Sequence, residues 1–140
     1  MNYEILASEL LHIRTNLLQV PASQKLSRML RGELFVLNYL MDHDTAVHPK
    51  ELSDKLAVST ARIACLLNHM EGKHLIVRFA DPDDSRQVIV HLTSEGRLAI
   101  EKTRKDVLMY LAGMLESLGP DDAREYIRIQ EKIYANYLKQ

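Results

Sequence analysis

The chain carries one cysteine, Cys65, in 140 residues, which excludes an internal disulfide and suits a reducing compartment. No apolar run reaches the roughly 20 residues that a membrane-spanning helix needs. The N-terminus, MNYEILASELLHIRTNL, mixes acids with leucines and lacks the basic start and small-residue cleavage site of an export signal. A cytoplasmic location is therefore expected. An excess of one charge is also missing, since 18 Lys and Arg stand against 19 Asp and Glu. Any role with nucleic acid must then come from local charge rather than net charge. There are no internal repeats, low-complexity runs or linkers. A phosphate-binding Walker loop, a dinucleotide fingerprint and a recognisable set of nucleophile, base and orienting acid are absent too. Neither enzymatic activity nor a cofactor is expected. What remains, 46% hydrophobic and 26% charged, is the composition of one globular domain over residues 1–140.

Apolar spacing of three and four predicts a mainly α chain with a small β-hairpin. Tyr3 to about Leu18 repeats Leu6, Leu10, Ile13 and Leu17, widened by Leu11 and Leu18. A second helix is expected from about Ser23 to Asp42 on Leu26, Leu30, Leu34, Leu37 and Met41. After the loop HDTAVHPK, Pro49 suits the first turn of a short helix, because its missing amide proton has no helical partner there. Thr93 or Ser94 should cap a long helix to about Ser117. Gly119 ends it, and Pro120, Asp121 and Asp122 open the last helix with charges that favour an N-terminus.

Between Glu51 and Gly96 the order is helix, turn, helix, hairpin. ELSDKL places Leu52 and Leu56 on one face, and AVS delivers Ser59 as N-cap of TARIACLLNHMEGK. That second helix should bury Ile63, Leu66, Leu67 and Met70. Its other face offers small and polar side chains, as a helix seated in a major groove requires. IVRFA and QVIVHL alternate as strands about the tip DPDDSR. The pattern is a winged helix-turn-helix over residues 45–95.

Through ELSDKLAVS, LLNHMEGKHLIVR and above all DPDDSRQVIVHLTSEG, the chain resembles the MarR family of bacterial transcriptional regulators. The last segment carries the family's wing signature, with Asp84 two residues before Arg86 and then Leu92, Thr93 and Gly96. The likeness extends over essentially the full length, with two helices expected before the module and two long ones after it. Three positions depart from the pattern. His74 stands where the family has Gly, Cys65 where a basic residue is common, and His48 and Pro49 where Ser or Thr often starts the first motif helix.

The resemblance implies a cytoplasmic homodimer on double-stranded DNA, most simply a repressor at a palindromic operator. Residues 1–22 and 96–140 would form its helical dimerisation region, because a small winged module cannot by itself cover the apolar faces of the terminal helices. Arg86 is then the wing residue for a narrow minor groove, oriented by Asp84. On the recognition helix, Thr60, Ala61, Arg62 and Ala64 are assigned to the groove, with Asn68 and Lys73 reaching bases or phosphates further along. Ser59 is a cap first and a phosphate contact second. Lys50 and Arg78 are expected backbone contacts. For each charge the plain alternative is a solvated or internally paired side chain.

Many family members also bind an aromatic or phenolic effector in the cleft between dimer helices and winged module. His12, Phe35, Tyr39 and Met41 lie on helices bordering that cleft, and serve equally well as core or interface residues. Cys65 reads as a small packing residue. Asp42, His43, Asp44 and His48 are too loosely spaced for a metal site and read as a solvated loop. A second reading of the whole chain stays open: a winged-helix protein-interaction module that does not bind DNA.

Overall fold

Asn2 caps the first helix, its Oδ1 accepting the amide protons of Glu4 and Ile5 at 3.0 and 3.3 Å. In the computed structural model, which describes residues 1–140, this helix is α1 (Tyr3–Leu17). It is followed by α2 (Pro21–Met29), α3 (Gly32–Asp42), α4 (Pro49–Leu56) and α5 (Thr60–Gly72). The antiparallel hairpin β1 (Ile76–Ala80) and β2 (Val88–Leu92) comes next, then α6 (Ser94–Leu118) and α7 (Pro120–Leu138). No helix is long and apolar enough to cross a membrane.

Three helices, not two, precede the winged module. The single helix expected from Ser23 to Asp42 is broken at Leu30–Gly32, where Arg31 is extended and Gly32 takes φ +59°. The left-handed region is open to Gly at no steric cost. Leu26, Leu30, Leu34 and Leu37 keep their spacing through the corner, so the apolar period carries no mark of it. The break lets α2 and α3 both pack on α6 while α3 also turns to meet α4, α5 and β2.

The core lies under the winged module. Val36, Leu37 and Leu40 of α3 meet Leu52 of α4, Ile63, Leu67 and Met70 of α5, Ile76 and Val90 of the hairpin, and Ile100 of α6. Leu66, expected among them, is only half-buried. Val47 adds a one-residue bridge to the sheet, its carbonyl accepting from Val90 N at 2.9 Å. By contrast, neither α1 nor α7 has a single buried residue. Their leucines, isoleucines and tyrosines are exposed, Leu11 at 69% and Tyr137 at 69% among them.

Two joints fix the module internally. At the end of α5, Leu75 N donates to Met70 O and His74 N to Glu71 O, the paired bonds of a Schellman cap. The residue that must turn left-handed is His74, at φ +62°, in place of the family's Gly. Thr93 then ties the hairpin to α6. Its Oγ1 donates to the carbonyls of His74 and Leu75 and accepts from Gly96 N. Gly96 passes so close that a Cβ there would stand 2.1 Å from Leu75 O.

Candidate nucleic-acid interface

Ser59 caps α5 as expected, its Oγ accepting from Arg62 N at 3.1 Å. The buried stripe of Ile63, Leu67 and Met70 turns the opposite face outward. Thr60, Ala61, Arg62, Ala64 and Asn68 are all exposed on that face. Small side chains at Ala61 and Ala64 leave room for close approach to a duplex. The guanidinium of Arg62 has no ion-pair partner within the chain and is free to reach a base edge or phosphate.

At the wing, the tip closes through Asp81 N donating to Gln87 O and Gln87 N to Asp84 O, both at 2.9 Å. Asp84 Oδ1 accepts from the backbone N and the Nε of Arg86, each at 3.1 Å. The arginine's side chain is 89% exposed while the carboxylate behind it is 32% exposed. Asp84 thus holds one edge of the guanidinium, through Nε and through Nη2 at 3.5 Å, and leaves Nη1 without a partner. An arginine so presented suits a narrow minor groove, where negative potential is concentrated.

The other cations on this side are engaged by acids. Lys73 Nζ lies 3.1 Å from Glu33 of α3, which also holds His69 Nε2 at 3.3 Å. Arg78 donates to Glu71 at 3.1 Å and to the side-chain carbonyl of Asn68. It is the more buried member of its pair, and its hydrogen bond holds the Glu71 carboxyl below its ordinary value. Arg78, expected as a phosphate contact, instead links β1 to α5, and Asn68 keeps only its amide protons for other partners. Lys50 pairs with Asp54 at 2.8 Å, but both side chains are well exposed. Such a pair contributes little and exchanges readily for a phosphate. None of the acids that do this pairing was singled out from the sequence.

Of the effector candidates, Phe35, Tyr39 and Met41 share α3, while His12 stands on another helix. His12 lies on the exposed α1, 3.4 Å from Asn16. Phe35, Tyr39 and His43 form a ladder along α3, with the Tyr39 and His43 rings 3.8 Å apart. Tyr39 hydrogen-bonds Glu51, and burial first, then that carboxylate, pushes its hydroxyl up to about 12. Met41 packs on the core. The best-formed cleft, about 450 Å³, lies elsewhere: between the Leu30–Gly32 corner, the turn at Leu56 and Val58, and one side of α5 with Arg62, Leu66 and His69. Cys65 also lines it and is exposed. It is therefore not the packing residue expected, because the apolar stripe of α5 is narrower than its neighbours suggested.

The expected loop of acids and histidines is drawn apart by partners. Asp42 pairs with Arg104 at 2.7 Å, His43 Nδ1 donates to Tyr39 O, and His48 Nε2 donates to Asp81 at 2.8 Å.

A family model described as winged helix DNA-binding domain matches residues 33–111, from the start of α3 into α6. The chain belongs to the winged helix DNA-binding domain family. Among curated relatives of this winged helix chain is the uncharacterized HTH-type transcriptional regulator YdgJ of Bacillus subtilis, 27% identical over 106 residues. The matched stretch is 76% of this chain and 63% of that protein. In fold, the winged helix chain is similar to a MarR family protein from Bacillus stearothermophilus, with TM-score 0.78, 22% identity and 99% of each chain covered. It is similar too to Staphylococcus aureus MepR in a DNA complex, with TM-score 0.69, 20% identity, and 92% of this chain and 96% of that one covered. The MarR-like layout read from the wing signature is thus the fold observed, and the relatives are named as regulators of transcription rather than as enzymes.

Proposed function

We propose that the chain is a cytoplasmic, homodimeric transcriptional regulator that binds a palindromic operator and represses by occupying it. The observation that carries this reading is the presence, in one winged module, of an exposed, small-residue face on α5, centred on Arg62, and an exposed Arg86 at the wing tip. The contact set is Thr60, Ala61, Arg62, Ala64 and Asn68 in the groove, Ser59, Lys50 and Lys73 at phosphates, and Arg86 on its Asp84 in the minor groove. The DNA-bound state of MepR, a protein of the same fold, supports it.

Dimerisation is supported by the apolar faces of α1 and α7, on which the chain itself buries no residue. A two-fold pair built on them would set two recognition helices about 34 to 36 Å apart, one helical turn of DNA. Sedimentation at micromolar concentration should give a dimer mass. An aromatic or phenolic effector fits the cleft beside α5, where Leu56, Val58 and Leu66 meet Arg62 and His69. A ligand there would change DNA affinity by binding one arrangement of the recognition helix better than another.

Selection of bound sequences from a random duplex pool, with Arg86→Ala in parallel, tests the reading. A palindrome that depends on Arg86 is the expected result. No enrichment even in low salt would turn the assignment to the protein-interaction module. One observation favours that second reading: Glu33 and Glu71 neutralise Lys73 and Arg78.

A further inference from the structure

His48 occupies the N-cap of α4, yet its side chain caps nothing. Pro49 follows and supplies no amide proton at the first helical position. The imidazole is therefore not used by its own helix, and the bridge from Val47 to Val90 seats it against the hairpin. From there Nε2 reaches Asp81, 33 residues on, at 2.8 Å. The carboxylate it meets is only 11% exposed. Its other oxygen accepts from Asp83 N at 2.8 Å, while the Asp81 amide closes the tip on Gln87. Asp81 is thus the base of the wing loop, and an ionised carboxylate can only accept, so Nε2 must carry the proton. The hydrogen bond from His48 is the main reason the Asp81 carboxyl sits below its ordinary value.

We propose that His48 is a positioning residue for the wing: through Asp81 it fixes the tip loop, and so the direction in which Asp84 presents Arg86. This rests on the DNA-binding reading of Arg86. Four other charged groups around it have partners of their own, while Lys55 of α4 and His91 of β2 are exposed. Glu51 of α4 is held by Tyr39, Lys50 by Asp54, Arg78 of β1 by Glu71 and Arg86 by Asp84. Asp83 is exposed at the tip, and its backbone is what Asp81 holds.

A double-mutant cycle with Arg86 separates positioning from mere stability. On a selected operator, His48→Ala should weaken binding about fivefold, the worth of one hydrogen bond, and His48→Gln, which can still donate, should restore most of it. In an Arg86→Ala background the same His48→Ala change should cost under about twofold, because the residue it aims is gone. Equal losses in both backgrounds, or no loss in the first, overturn the proposal. A readout without DNA guards against failure of the functional reading itself. In the free protein, the amide resonances of Asp83 and Arg86 should shift in His48→Ala and return towards their wild-type positions in His48→Gln. Wing amides indifferent to His48→Ala would remove His48 from the wing whether or not the protein binds DNA. Wild type that binds no duplex while the wing amides do shift in His48→Ala would sink the regulator assignment and leave the anchor standing.

Discussion

Arg78 of the wing's first strand grips Glu71 of the recognition helix, Nη2 to Oε1 at 3.1 Å, and its backbone amide donates to the same carboxylate at 3.0 Å. Helix and wing are thereby joined as one rigid reading head. Because Glu71 is held below its ordinary carboxyl value in the folded state, its contribution is present at neutral pH and lost as pH falls through the folded value. Arg78→Ala should therefore be less stable than wild type at pH 7 and lose less stability on acidification. Urea denaturation at pH 7 and pH 3 checks it, and parallel acid limbs would contradict it.

Arg62 and Lys73 sit on the same helix but differ in freedom. Arg62→Ala should weaken operator binding by about 1–3 kcal/mol if it reads a base. Lys73, already held by Glu33, should cost less than about twofold on removal, near the low end for a single rim charge. Titrations across salt concentration would show the difference, and a larger loss at Lys73 would reverse the ranking.

Local rules made much of this fold legible. Ser59, Thr93, Pro49 and Gly119 each act within four residues, so their caps and stops could be read from sequence alone. The alternation of IVRFA and QVIVHL gave the hairpin, whose second strand begins one residue later, at Val88. The corner at Gly32 was hidden because an unbroken apolar period is equally compatible with a straight helix and a bent pair. Pairing was hidden for a different reason. Glu33 lies 40 residues from Lys73, and His48 lies 33 from Asp81, so which cations are neutralised is decided by packing and not by neighbours in the chain.

His74 in the left-handed region carries a steric cost that glycine would not. Left-handed backbone costs an L-residue about 1–2 kcal/mol, partly offset by glycine's greater loss of chain entropy. His74→Gly should accordingly raise stability by about 0.5–1 kcal/mol, and thermal unfolding would measure it. A fall in melting temperature would mean that the imidazole makes a contribution beyond its backbone.

Gly96 allows the opposite experiment. A methyl group there would press on the Leu75 carbonyl, which belongs to the backbone and already accepts from Thr93. Gly96→Ala should lose about 1–3 kcal/mol, the usual cost of forced overpacking. Chemical denaturation would detect it, and a neutral result would mean that the hairpin shifts freely on α6.

A helix of 15 residues with no buried side chain, as α1 is, is marginal in water on its own. In the proposed dimer its persistence becomes a matter of mass action. The unfolding midpoint should climb with total protein, as for any chain whose folded form is completed by association. A newly made subunit would be an incomplete structure until it met another, so the abundance of the protein would itself regulate how much of it is competent.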